Sequence, residues 1–121
     1  MLEVAFSLIS AAVLVGIVLA LLHMRGSRRP HWLAGAVHGG TGAVGLAALL
    51  VALRGPPRGV LTGVESFGAI AAVLAAFTLA AGVGVELLLR RNRSIGGLAI
   101  AVHATLAITA YVMLAAYVAL G

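Results

Sequence analysis

The chain has 121 residues, of which 63% are hydrophobic and 9% are charged, and its mean hydropathy is +1.19. This composition excludes an ordinary soluble domain, and the absence of cysteine excludes disulfides, thiolate metal sites and iron–sulfur clusters. With three carboxylates and no motif of a hydrolytic site, the sequence also argues against a hydrolase.

Four apolar runs follow one another along the chain, and each is close to the length of about 20 residues that spans a bilayer. The sequence therefore predicts an all-α membrane protein with a single four-helix transmembrane domain over residues 1–121. The predicted helices are Val4–His23, Trp32–Leu53, Phe67–Leu89 and Ile95–Leu120.

All of the basic residues are arginines, and most of them lie in two of the three connections. Positive residues favour the cytoplasmic side, so we expect the first and third connections to be cytoplasmic and both termini to lie outside a bacterial-type inner membrane. This pattern accounts for the net charge of +5 without a nucleic-acid partner. The arginines concerned are Arg25, Arg28 and Arg29 in the first connection and Arg90, Arg91 and Arg93 in the third.

An internal repeat relates the two halves of the chain. The segment LAGAVHGG at 33–40 recurs as LAIAVHAT at 98–105, and the same gap-free alignment pairs Arg25 with Arg90 and Arg28 with Arg93. We interpret this as two copies of a helix–arginine loop–helix hairpin, over about 1–60 and 61–121. Because each copy contains an even number of helices, the two hairpins have the same orientation in the membrane.

The repeat places one histidine, His38 or His103, in each even-numbered helix. Both lie roughly 10 Å inside the cytoplasmic boundary, so their imidazoles can face each other across the bundle. Small residues, including Gly35 and Gly42, share the face of His38 and leave room for a flat macrocycle. We interpret the histidines as axial ligands of haem b, with close helix packing as the alternative reading.

With its four predicted helices and the histidines His38 and His103, the chain resembles four-helix b-type membrane cytochromes, broadly of the cytochrome b561 type. The resemblance implies a b-type haem held between histidines of different helices. Members of that class usually hold two haems, whereas the outer halves of these four helices have no histidine. We therefore expect one haem, near the cytoplasmic side.

Three further residues complete the predicted site. Arg28 and Arg93 each precede a histidine by ten positions and are expected to face the anionic haem propionates. His31 lies two turns before His38 and is expected at a propionate or a quinone head group, as a substitute ligand, or in an interfacial role.

These features predict an electron-transfer or accessory subunit rather than a stand-alone enzyme. It would exchange electrons with a quinone or a membrane redox partner, as part of a larger complex or as a homo-oligomer surrounded by lipid. One alternative is a structural subunit whose histidines bind (bacterio)chlorophyll or no cofactor. Another is a small oligomeric transporter or channel that moves protons through the histidines and Glu86, the one carboxylate within an apolar run.

Overall fold

The computed structural model describes residues 1–26, 32–91 and 93–121, with the side chains of 90 and 93–96 left out. Within these ranges the chain forms four helices and no strand. They are α1 (Leu2–Met24), α2 (Trp32–Ala52), α3 (Phe67–Arg91) and α4 (Arg93–Leu120). All four are long and apolar enough to cross a membrane, which confirms the predicted all-α membrane fold.

The helices form a bundle in which sequence neighbours pack together and α1 closes the ring against α4. In the described parts of the chain, α2 and α4 therefore occupy opposite corners. We call the end where α1 and α3 finish the arginine end. The other end, with both chain termini and the 53–66 connection, is the terminal end. This arrangement gives the α1–α2 and α3–α4 hairpins the same orientation.

The packed core lies in the terminal half of the bundle. Leu49 and Leu114 are its largest fully buried side chains, with exposed fractions of 0% and 1%. Small residues allow the helices to approach closely there: a Cβ atom on Gly45 would lie 2.7 Å from Ile9 Cγ1. All four helices contribute to the core cluster, which consists of Ala5, Ala48, Leu49, Ala71, Ala72 and Leu114.

The 53–66 connection folds back onto the end of α4. The Thr62 hydroxyl donates to the Leu120 carbonyl at 2.8 Å, and the Val64 side chain is buried. Gly59 has a φ of 73°, a left-handed conformation that glycine adopts without strain, and its carbonyl accepts from the Val64 amide. These contacts close the terminal end of the bundle.

A polar and aromatic contact joins α1 to α4 on the arginine side of the core. The rings of Phe6 and Tyr111 stack with centroids 5.6 Å apart, and the Tyr111 and Ser10 hydroxyls hydrogen-bond at 3.1 Å. The Ser10 hydroxyl also donates to the Phe6 carbonyl at 2.7 Å. The two hairpins are therefore tied together by apolar packing and by this contact.

Candidate functional site: a histidine pair between opposite helices

The structure brings His38 of α2 and His103 of α4 together across the bundle. Their ring centroids lie 6.0 Å apart, and the ring planes are inclined at 75°. Both side chains are half-buried. The two imidazoles thus meet although their helices stand at opposite corners of the bundle.

Each imidazole is held by a backbone carbonyl of the other helix in its own hairpin. His38 Nδ1 lies 2.9 Å from the Ala12 carbonyl oxygen, and His103 Nδ1 lies 3.0 Å from that of Thr78. Because a carbonyl can only accept, both Nδ1 atoms must carry the proton and donate it. A neutral ring protonated at Nδ1 has its lone pair on Nε2, which is the state that a metal requires. Metal-binding histidines commonly have such an anchored second nitrogen.

A glycine lies against the edge of each ring. A Cβ atom on Gly16 would lie 2.8 Å from His38 Cε1, and one on Gly82 would lie 3.1 Å from His103 Cε1. Each glycine follows its acceptor residue, Ala12 or Thr78, by one helical turn. The two hairpins therefore repeat the same carbonyl, glycine and histidine arrangement.

The sequence alignment did not reveal this equivalence in α1 and α3. The histidine and its acceptor are 26 residues apart in the first hairpin and 25 in the second. Consequently, the gap-free alignment pairs Gly16 with Ala81, whereas the geometry pairs it with Gly82. The available signal was the single glycine within α1, but its partner is displaced by one residue.

The two glycines predicted beside His38 have different environments. Gly42 faces the interior, where an added Cβ would lie 3.6 Å from Leu79 Cδ2 and 3.8 Å from Ala12 Cβ. Gly35 is exposed, and an added Cβ there would meet nothing within 4 Å. Sharing a helix face with His38 therefore puts Gly42, but not Gly35, in contact with a neighbouring helix.

Burial of the described side chains decreases between the histidines and the arginine end. Among the described side chains, every buried one lies level with the histidines or on their terminal side. On the arginine side, the described residues of all four helices are half-buried or exposed. This part of the bundle thus differs from the close-packed interior around Leu49.

The other polar residues considered for the site lie at helix ends or outside the described residues. Arg28 and His31 lie outside the described residues, as does the side chain of Arg93. His23 is half-buried in the last turn of α1. Glu86 is an exposed residue near the end of α3.

The donor set restricts the kind of metal that could be held. No group of three or more histidine, cysteine or carboxylate side chains is suitably arranged within the described ranges. An ion held by protein alone usually takes at least three such ligands. Two facing imidazoles instead suit a metal whose remaining ligands come from a macrocycle.

Comparisons with protein-family models, with characterised proteins and with solved structures find no match to this chain.

Proposed function

We propose that the protein is a membrane electron-transfer subunit that binds one b-type haem between α2 and α4. His38 and His103 would be the axial ligands. The observation that carries this proposal is the pair of imidazoles 6.0 Å apart, each anchored through Nδ1 to a backbone carbonyl. When bound, haem supplies reversible one-electron chemistry at its iron.

The two rings lie close enough together for both to contact one group placed between them. Imidazole nitrogens lie about 2.0–2.1 Å from a bound metal, so a metal held by both rings would need their Nε2 atoms within about 4 Å of one another. The observed centroid distance is 6.0 Å. In a neutral ring that donates through Nδ1, the lone pair is on Nε2, where a metal could be bound.

The low side-chain burial of the arginine half supports the same proposal. A macrocycle is far larger than a metal ion and needs space that a close-packed core does not offer. The described side chains on this side of the histidines are not buried, and glycines reduce the bulk beside both rings. With propionates turned towards the arginine end, Arg28 and Arg93 would supply positive charge for them.

The electron partner in this proposal is a quinone or a redox protein in the membrane. A single haem near one face does not span the bilayer, so electrons would enter and leave from that side or pass to a second protein. The chain would then act as one subunit of a larger complex or as a homo-oligomer.

The decisive experiment is optical spectroscopy of the purified protein with bound or added haem. A reduced-minus-oxidised difference spectrum with a sharp b-type α-band is expected, and His38→Ala and His103→Ala should each abolish the six-coordinate low-spin form. His23→Ala is the matched control, because His23 lies in the last turn of α1 and is not a member of the histidine pair. This variant should leave the spectrum unchanged. An unchanged low-spin spectrum in either ligand variant would refute the assignment.

A structural subunit is the second candidate, because the same hydrogen bonds link helices within each hairpin. His38 joins α2 to α1, and His103 joins α4 to α3. Such interhelical bonds stabilise membrane bundles without any cofactor. A protein that stays colourless after incubation with haemin would favour this candidate, and red-shifted pigment bands would favour (bacterio)chlorophyll binding.

A further inference from the structure

We propose that Gly16 and Gly82 are positioning residues, which hold His38 and His103 in the Nδ1-protonated form and so keep Nε2 available to a ligand. This inference rests on the proposed haem function, since it assigns how that site is prepared. It concerns residues of α1 and α3, which carry no ligand themselves.

The first argument is the contact between each glycine and the ring edge. Cε1 is bonded to both ring nitrogens, so an atom pressed against it acts directly on the position of Nδ1 and Nε2. A Cβ atom on Gly16 would stand 2.8 Å from His38 Cε1, closer than carbon atoms approach without displacement. A ring displaced away from Gly16 would also move away from α1, whose Ala12 carbonyl lies 2.9 Å from its Nδ1.

The second argument is the helical relation between glycine and acceptor. In an α-helix, the carbonyl of one residue points towards the amide of the fourth residue after it. The side chain at that fourth position therefore stands beside the carbonyl and restricts access to it. Gly16 has this relation to Ala12, and Gly82 has it to Thr78, so both carbonyls can accept a second hydrogen bond from an imidazole.

The third argument is that glycine is unfavourable in the middle of a helix. Within Leu2–Met24, α1 has a single glycine, and it lies where the His38 ring touches the helix. Gly82 occupies the equivalent place in α3, although the sequence repeat by itself would put Ala81 there. The glycine therefore recurs where the structure places a histidine ring, and not where the sequence alignment would place it.

Gly16→Ala and Gly82→Ala test the proposal, with Gly84→Ala as the matched control. Gly84 is in the same helix as Gly82, and an added Cβ there would meet nothing within 4 Å. We expect haem affinity to fall by about 10–100-fold in the first two variants, the range typical of lost outer-shell support. The larger loss should occur at Gly16, where the contact is closer. Gly84→Ala should bind haem like the wild type.

A second readout does not depend on haem. Nitrogen-15 NMR of histidine-labelled protein without cofactor should show two Nδ1-protonated rings in the wild type, assigned by His38→Ala and His103→Ala. Gly16→Ala should remove the His38 signal of this form and leave that of His103. If wild-type protein binds no haem but gives this result, the proposed function fails while the positioning role stands.

Combining substitutions separates ring positioning from a general packing defect. In a His38→Ala background, Gly16→Ala should have no further effect on haem affinity, because the ring on which it acts is gone. If Gly16→Ala alone does not fold, adding His38→Ala should restore helix content and a monodisperse elution profile, since the clash is removed. Unchanged tautomers and unchanged haem affinity in both single variants would overturn the proposal, as would additive losses in the double variant.

Discussion

Because the packed core lies in the terminal half, we expect truncation of two adjacent leucines of α2 to have different effects on stability. Leu49 is fully buried, whereas 50% of Leu50 is exposed. Leu49→Ala and Leu50→Ala delete the same atoms and make the same change in helix propensity. The difference between the two variants therefore measures the packing inside the bundle.

The expected loss in the free energy of unfolding depends on whether the separated helices face water or lipid. A buried Leu→Ala change in a water-soluble protein costs about 2.7–5.0 kcal/mol, of which about 2.4 kcal/mol is the transfer of three carbon groups at about 0.8 kcal/mol each. In a bilayer the separated helices face lipid and not water, so this transfer contribution is absent. Leu49→Ala should thus lower the free energy of unfolding by about 0.3–2.6 kcal/mol, and Leu50→Ala should leave it nearly unchanged.

Reversible unfolding in bicelles, followed by steric trapping, measures both values on the same scale. Equal losses in the two variants would contradict the burial of Leu49, and a loss above about 4 kcal/mol would contradict the lipid reference state. Because Leu49 belongs to the terminal half, both variants should also retain the low-spin haem spectrum that the proposed function predicts. Loss of haem in Leu49→Ala alone would show that the core and the histidine site are coupled.

Three further predictions follow from the polar residues. Tyr111→Phe keeps the stacking on Phe6 and removes the hydrogen bond to Ser10, so it should cost about 0.6 kcal/mol in the same unfolding assay; a loss above about 2 kcal/mol would contradict this small role. Replacing Arg28 and Arg93 together by Gln should lower the haem midpoint potential in a redox titration, because positive charge favours the reduced state with its extra electron; an unchanged potential with haem still bound would show that these arginines set topology only. Reporter fusions at the C-terminus should give an external signal, and a cytoplasmic signal would reverse the orientation inferred from the arginines.

The fold was predictable because hydropathy alone determines which segments can span a bilayer. Each predicted helix boundary lies within two residues of the observed one. The repeated histidine segment also indicated that His38 and His103 lie at similar depth in like-oriented helices. What periodicity could not supply was the rotation of α1 and α3, which decides the backbone carbonyl and the glycine that each ring meets.

Gly35 illustrates the limit of reasoning from one helix. It lies three residues before His38 and shares its face, yet an added Cβ at Gly35 would meet no neighbour. The face of a helix becomes an interface only where another helix approaches it, and the buried residues of α2 (Gly45, Ala48 and Leu49) all lie on the terminal side of His38. Gly42, four residues after His38, meets both neighbours for that reason.

The position of the histidines relative to the two hairpins bears on how a bound cofactor would act. In the arginine half, the hydrogen bonds of His38 and His103 stay within their own hairpins, whereas the core and the Ser10–Tyr111 contact join the hairpins in the terminal half. A haem bound by both histidines would supply a link between the hairpins on the side where the described residues provide the least packing. A ligand that binds only the folded bundle stabilises it, and the gain grows with the logarithm of the ratio of ligand concentration to Kd. If the chain binds haem as proposed, cofactor binding and association of the hairpins should therefore be coupled.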